Sequence, residues 1–368
     1  MNNVLILESF KVANFKNFKE FNLEHLNNLT VLIGSNGVGK SNFLSIIDLI
    51  SSAFHDGIDA YFQSKGISFQ DCIHQWNLES KISLYLKFKD TLQSLSYSYQ
   101  FTLEYEVNKG FKIIDEKFTL SDGTSKSYNN QDFTVLNLKG DFVLSTEEQF
   151  VKSFLSNVAG YSFYSTNLFS NNLQMVDKSN TKTLASNASN MASLLYLLKS
   201  QYTVSYKRIV DTLKLVVKSF EDFYFVEEKQ GTILKFKMKD VKYPVSMKSL
   251  SDGTIRFIIL SLLLNLPLSL RSSLVLLEEP EVSLHPLAID ILGDLIESYS
   301  QDSQIMVATQ SPYILNRLNI ENIYVLNFNV DSNETEIKHI DNGKLKEWLK
   351  KYSLGELWMM NLFGGGPL

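Results

Sequence analysis

The amino-acid sequence predicts an α/β fold in which a parallel core sheet carries an antiparallel β lobe and an inserted, mainly helical lobe. Three observations lead there. Leu29-Thr30-Val31-Leu32-Ile33, Ser273-Leu274-Val275-Leu276-Leu277 and Ile305-Met306-Val307-Ala308-Thr309 are near-continuous apolar runs of strand length, the pattern of strands covered on both faces. A helical pattern separates the last two, and strand–helix–strand alternation implies parallel pairing with right-handed crossovers. Between Lys81 and Leu120, by contrast, apolar and polar residues alternate with period two, as in antiparallel strands.

Taken in order, Val4-Leu5-Ile6-Leu7, Phe10-Lys11-Val12 and Asn14-Phe15-Lys16-Asn17-Phe18 read as edge or antiparallel strands. The buried strand 29–33 runs into a glycine-rich turn and then a helix over Asn42 to Phe54. Ile82 to Phe88 and Tyr97 to Leu103 form the β lobe, punctuated by Asp90, Asn108-Lys109-Gly110 and Asp122-Gly123. Glu147 to Phe220 is mostly helical in spacing, interrupted by a Ser/Asn-rich loop from Ser170 to Asn190. Phe223 to Met247 returns to a strand pattern. The run Ile255 to Leu270 reads as a buried helix, because Ser261, Asn265, Pro267 and Ser269 interrupt it and it is shorter than the roughly 20 residues a bilayer requires.

Composition narrows the function classes. With 44% hydrophobic and 20% charged residues the chain has ample surface to bury, which excludes disorder as the dominant state. Its 368 residues imply two or three lobes, and the absence of Gly/Ser linkers or like-charge blocks implies that they are inserted into one another. A net charge of −5 argues against coating a polyanion through bulk positive charge. The single cysteine, Cys72, leaves no internal disulfide and no multi-cysteine metal site, the usage expected of a reducing, cytoplasmic compartment. The N-terminus lacks the charged and apolar segments of a secretory signal.

Gly34-Ser35-Asn36-Gly37-Val38-Gly39-Lys40-Ser41 matches the phosphate-binding P-loop pattern, between a buried strand and a helix. Glycines let backbone N–H groups turn inward around a phosphate, and the helix N-terminus adds positive potential. Lys40 would reach the β and γ phosphates and Ser41 would ligate Mg²⁺. Downstream, the strand Leu274 to Leu277 ends in Glu278-Glu279-Pro280. There Glu278 would hold Mg²⁺ and Glu279 would orient the attacking water. Leu250-Ser251-Asp252-Gly253-Thr254 opens the next long helix, a helix N-terminus bearing a Ser hydroxyl and N–H groups suited to an anion.

The last segment resembles the signature motif of ABC-type ATPases, and the order P-loop, signature, paired carboxylates and polar switch residue resembles that family throughout. The chain is most similar to compact, stand-alone bacterial ABC-type AAA family ATPases, relatives of the SMC/RecF heads without long coiled coils and of ATPases in anti-phage, OLD-like systems. The residues that carry this are Asn36 to Asn42, Leu250 to Thr254, Glu278-Glu279-Pro280-Glu281 with Leu284-His285-Pro286, Ala308-Thr309-Gln310-Ser311-Pro312, and the tail Gly355-Glu356-Leu357-Trp358 through Gly364-Gly365-Gly366-Pro367. The resemblance implies an ABC-type P-loop ATPase head that binds ATP and Mg²⁺ through Asn36, Gly37, Val38, Gly39, Lys40, Ser41 and Asn42. Two heads would sandwich two nucleotides, with Ser251, Asp252 and Gly253 of each completing the other's site. Glu279, Gln310 and Lys40 would be catalytic.

Two departures stand out. Glu278 replaces the commoner Asp, and Gln310 occupies the switch position usually held by His. Glutamine cannot gain a proton at neutral pH, so slow or partner-dependent hydrolysis is expected. For the glutamine that precedes the β lobe in the family, Gln70 and Gln75 compete. Lys16 and Phe18 flank the expected adenine pocket, with strand-edge packing the commoner role for such residues. Trp76, Trp348 and Trp358 read as packing residues, and His285 falls in the loop through which paired heads communicate.

The expected organisation is an N-terminal lobe over 1–135, an inserted lobe over 136–248 and a C-terminal lobe over 249–368. No sustained heptads fill the interval between Ser41 and Ser251, and the segment after Gln310 is short for a fused nuclease. The implied protein is a homodimer or a higher even-numbered oligomer that switches a separate effector, nuclease-like or toxin-like, in bacterial anti-phage defence, without a membrane. The alternative is a RecF-like DNA-binding repair clamp, in which nucleic acid would meet cations such as Lys207, Arg208, Lys214, Lys218 and Lys235.

Overall fold

The N-terminal strands β1 (Leu5–Phe15) and β2 (Phe18–Leu23) form a hairpin that reverses at Lys16-Asn17, with Asn14 at φ 59° and Lys16 at φ 51°. This and all that follows comes from a computed structural model, which describes residues 5–55, 58–77, 79–106, 110–128, 144–162, 171–229, 231–340 and 342–364. Of the segments read above, Val4, Asn108-Lys109, Ser170 and the tail residues Gly365, Gly366 and Pro367 lie outside these residues.

Strand β3 (Leu29–Ile33) is buried along its whole length and leads through the P-loop into α1 (Lys40–His55) and α2 (Ile58–Lys65). The period-two segments become β4 (Ile82–Asp90), β5 (Ser96–Glu106), β6 (Gly110–Thr119) and β7 (Ser125–Tyr128). With the first hairpin they make a six-stranded antiparallel sheet, ordered β2-β1-β4-β5-β6-β7. Helix α3 (Thr146–Leu155) starts at a reciprocal Ser145–Glu148 capping box.

Next comes β8 (Val158–Ser162), which corrects the helical expectation for this part of the 136–248 segment. Five residues with small side chains at Ala159 and Gly160 carry no periodicity of their own. The strand exists because it pairs in parallel with a segment more than a hundred residues away, in the register Leu274↔Val158 to Glu278↔Ser162. Gly160 fits because Asp48 lies against it: a Cβ there would stand 2.9 Å from the Asp48 carboxylate.

Helices α4 (Met191–Gln201) and α5 (Thr203–Val216) and the ribbon β9 (Phe220–Glu228)–β10 (Gly231–Met238) follow, then α6 (Asp252–Leu264), β11 (Leu274–Glu278), α7 (Pro286–Ser300) and β12 (Gln304–Thr309). The chain continues through α8 (Pro312–Leu315), β13 (Ile323–Asn329), β14 (Glu334–His339), α9 (Asn342–Leu345) and α10 (Leu354–Met359). The core sheet runs β14-β13-β3-β12-β11-β8, parallel except for β14, so the periodicity reading of the last hundred residues lacked the β13–β14 hairpin.

The apolar runs are continuous because both faces of this sheet are covered. Val31, Val275, Leu277, Ile305 and Val307 pack toward α4–α7, whereas Leu32, Leu274, Leu276, Met306 and Ala308 pack toward α1 and the antiparallel sheet. Helix α6 is buried from Ile255 to Leu264, and no described helix is long and apolar enough to cross a membrane. The two sheets are joined by Gln304, buried to 2% exposure. Its Oε1 accepts from the Leu7 N–H at 2.9 Å and its Nε2 donates to the Leu7 carbonyl at 2.8 Å, so a side-chain amide pairs with β1 as a strand residue would.

Candidate functional site

The P-loop, Glu278, Glu279 and Gln310 all follow the C-terminal ends of core-sheet strands. The loop after β3 turns at Gly37 (φ 81°) and Gly39 (φ 110°), backbone conformations open to glycine at little cost. Val38 and Lys40 are buried, while Asn36 and Ser41 lie exposed on the loop's outer face. The Lys40 ammonium donates to the Gly34 carbonyl at 2.7 Å and to the Ser35 carbonyl at 2.9 Å, folded back across its own loop. Burial pulls its pKa below the usual lysine value, while Glu279, Glu281 and Glu278, in that order of effect, pull the other way. The acidic residues after β11 thus act electrostatically on the loop's cation.

Glu278 closes β11, half-buried, opposite Ala308 of β12 and Ser162 of β8. Glu279 follows at φ 42°, and its N–H still donates to the Ala308 carbonyl at 2.8 Å, so the strand edge fixes a side chain that is only 6% exposed. Gln310, first residue after β12, donates its side-chain amide to both Glu279 oxygens, at 3.1 and 3.0 Å. Two parallel strands thus deliver the carboxylate and the amide to one point.

The signature segment takes a different place. Ser251 caps α6, accepting from the Thr254 N–H at 3.2 Å, and is exposed with Asp252. Gly253 lies against the loop after the carboxylates, where a Cβ would stand 2.3 Å from the Ser283 carbonyl oxygen, and Arg256 donates to the Val282 carbonyl at 3.3 Å. The described hydrogen bonds and close approaches of this segment lie in α6 and the 279–285 loop, whereas those of the P-loop lie elsewhere. Within one chain Gln310 is bonded to Glu279 and Glu279 acts on Lys40, while Ser251 and Asp252 lie exposed at the start of α6.

Gln70 and Gln75 are both exposed on a segment joined to the β1–β2 turn, through the Ile73–Phe15 bridge and His74 on the Lys16 carbonyl; among the described hydrogen bonds neither reaches Glu278, whose neighbour on β8 is Ser162. Phe18 is wholly buried, and Lys16 reaches Ser45 of α1 at 3.3 Å. Of the three tryptophans Trp358 packs in the core at 1% exposure, but Trp76 is 69% exposed and Trp348 45%. The packing assignment for those two is corrected. His285 accepts at Nδ1 from the Leu287 N–H and starts α7. Among the described residues no group of His, Cys, Asp and Glu forms a metal cluster.

Residues 29–316 match the AAA_21 family, described as "AAA domain, putative AbiEii toxin, Type IV TA system". The chain belongs to that family. Its fold is that of SMC heads: a structure of an SMC head bound to the C-terminal winged-helix domain of ScpA is 12% identical, with a TM-score of 0.54 over 92% of this chain and 99% of that one. A second, an SMC head domain with an extended coiled coil bound to the C-terminal domain of ScpA derived from Pyrococcus furiosus, is 10% identical, with a TM-score of 0.57 over 94% and 99%. The chain is thus a P-loop AAA-domain protein with the fold of an SMC head.

Reading this AAA_21 chain by motif alone passes over Asn17 and Thr335, and takes in Glu281 without giving it a role. Glu281 follows the carboxylate pair by two residues. Its Oε1 accepts from the Thr309 hydroxyl at 2.5 Å, while Oε2 is buried without a partner among the described residues. Burial is the main cause of a carboxyl pKa pushed up to about 7. The fold therefore favours the neutral acid. The stability it contributes is complete below the unfolded value of 4.5 and is lost as pH rises through about 7. The thermal midpoint of Glu281→Gln, measured without nucleotide, should gain a few degrees on wild type between about pH 4.5 and 7. A difference independent of pH would show that Glu281 is ionised throughout.

Proposed function

We propose that this protein is an ATPase whose two copies close head to head on ATP and thereby switch a separate effector. The observation that carries this reading is the paired hydrogen bond from Gln310 to both oxygens of Glu279, beside a buried Lys40 on an intact P-loop. In this reading Lys40 leaves the Gly34 and Ser35 carbonyls for the β and γ phosphates, and the Gly37-Val38-Gly39 backbone cradles them. Ser41 and Glu278 supply hard oxygen donors, a set that suits Mg²⁺, which would neutralise phosphate charge. Gln310 holds the Glu279 carboxylate in one rotamer, so that Glu279 accepts the proton of the attacking water without reorganising.

A single chain leaves the outward-facing Ser251–Gly253 helix start unmatched and the P-loop open on one side, which supports completion of each site by the partner copy. The toxin–antitoxin description of the family supports an effector supplied separately, and anti-phage defence is the setting we propose for it. The Gln310 amide, unlike an imidazole, cannot gain a proton at physiological pH, in keeping with slow basal turnover.

Mixing two defective chains tests the arrangement. Lys40→Ala and Ser251→Arg chains should each be inactive as homodimers, while their mixture contains heterodimers with one site carrying both defects and one carrying neither. ATPase activity should recover in part on mixing, measured as phosphate release over long incubations; no recovery at any ratio would mean that Ser251 acts in its own chain or not at all.

A further inference from the structure

We infer that Asn17 and Thr335 are positioning residues of the phosphate-binding loop, which aim the Gly39 N–H into the cradle by holding the Val38 carbonyl from outside. Two hydrogen bonds converge on that carbonyl, and their two donors also touch each other. Asn17 Nδ2 donates to it at 3.1 Å and the Thr335 hydroxyl at 2.6 Å, while Asn17 Nδ2 also meets Thr335 Oγ1 at 2.5 Å. Asn17 Oδ1 in turn accepts from Asn42 Nδ2 of α1 at 2.7 Å, and the Thr335 N–H donates to the Asn17 carbonyl at 3.0 Å. Thr335 is buried to 3% exposure.

The consequence follows from peptide planarity. In a trans peptide C=O and N–H point in opposite directions, so fixing the Val38 carbonyl outward fixes the Gly39 N–H inward. Gly39 adopts φ 110° directly beside the clamp: a Cβ there would stand 2.5 Å from Asn17 Nδ2. The same hairpin also meets the loop's other end, since a Cβ on Gly34 would stand 2.7 Å from the Leu326 carbonyl oxygen of β13. The loop is thus braced by the turn between β1 and β2 and by the β13–β14 hairpin, from opposite ends of the chain. With that geometry set before a ligand arrives, binding need not order the loop.

The inference rests on the ATPase reading for its consequence in binding, and on the nucleotide-free protein for its geometry, so the two are tested separately. Thr335→Val keeps the shape and removes the hydroxyl; Thr335→Ser restores it. In the nucleotide-free protein, hydrogen exchange over residues 36–40 should rise about tenfold in Thr335→Val, as expected for loss of one buried hydrogen bond, and return to the wild-type rate in Thr335→Ser. Asn17→Asp, which cannot donate to Val38, should match Thr335→Val. The dissociation constants for ATP and ADP, by calorimetry, should rise about tenfold in Thr335→Val and recover in Thr335→Ser, at near-wild-type melting temperature. Unchanged loop exchange in Thr335→Val, or unchanged affinity in Thr335→Val where wild type binds ATP, would overturn the inference. A wild type that binds no nucleotide would instead overturn the ATPase reading, while the exchange rates still decide the clamp.

Discussion

Replacing Lys40 with Ala should weaken ATP binding by about 10²-fold or more, the loss expected when two charge-assisted hydrogen bonds to phosphate disappear. Hydrolysis should fall below detection. The ammonium is 6% exposed and is held by two loop carbonyls at 2.7 and 2.9 Å, so its path to the phosphates is a short swing within one cradle. Glu279 and Glu278 act on it electrostatically, and without the cation these two would face the triphosphate as uncompensated negative charge. Lys40→Arg should fail nearly as badly, because a planar guanidinium cannot occupy the space of a compact ammonium between the Gly34 and Ser35 carbonyls. Titration calorimetry with ATP and a phosphate-release assay check both variants. Wild-type affinity and turnover in Lys40→Ala would remove the P-loop from the function altogether.

Glu279→Gln should separate binding from chemistry. The amide fills the same volume and its carbonyl oxygen can still accept from Gln310, so affinity for ATP should stay within a few-fold of wild type. The turnover number should fall by about 10²- to 10⁴-fold, the usual contribution of a positioned general base. ATP should then be retained, and the head-to-head dimer should accumulate, measurable by light scattering on a size-exclusion column. Normal turnover in this variant would assign the base to another group, Glu281, two residues on and hydrogen-bonded to Thr309, being the next candidate.

The differing legibility of these residues in the sequence has a physical basis. Lys40, Glu278 and Glu279 were readable because each sits within a few residues of the element that places it. The P-loop needs its glycines, lysine and serine at fixed offsets, and the carboxylates follow directly from a strand of unbroken apolar residues. Gln310 was readable as a position but not as a contact. Its bond to Glu279 requires β11 and β12 to pair in the register Glu278↔Ala308, which no local pattern encodes. Trp76 was misjudged as packing for a related reason: aromaticity signals a capacity for burial, and only the surrounding chain decides whether burial occurs.

The sequence by itself determined the buried strands β3, β11 and β12, the antiparallel alternation of β4 and β5, the loop that turns phosphate-binding amides inward and the carboxylates that face it. Local periodicity and turn chemistry suffice for these, because each reports how one segment meets its immediate surroundings. Only the tertiary structure decided that Val158–Ser162 is a core strand, that Gly253 touches Ser283, and that Asn17 and Thr335 clamp Val38. Those contacts join residues far apart in the chain, 318 positions in the case of Asn17 and Thr335. A short polar side chain such as Thr335 has the same local signature wherever it lies; what it does is settled by the carbonyl that folding places beside it.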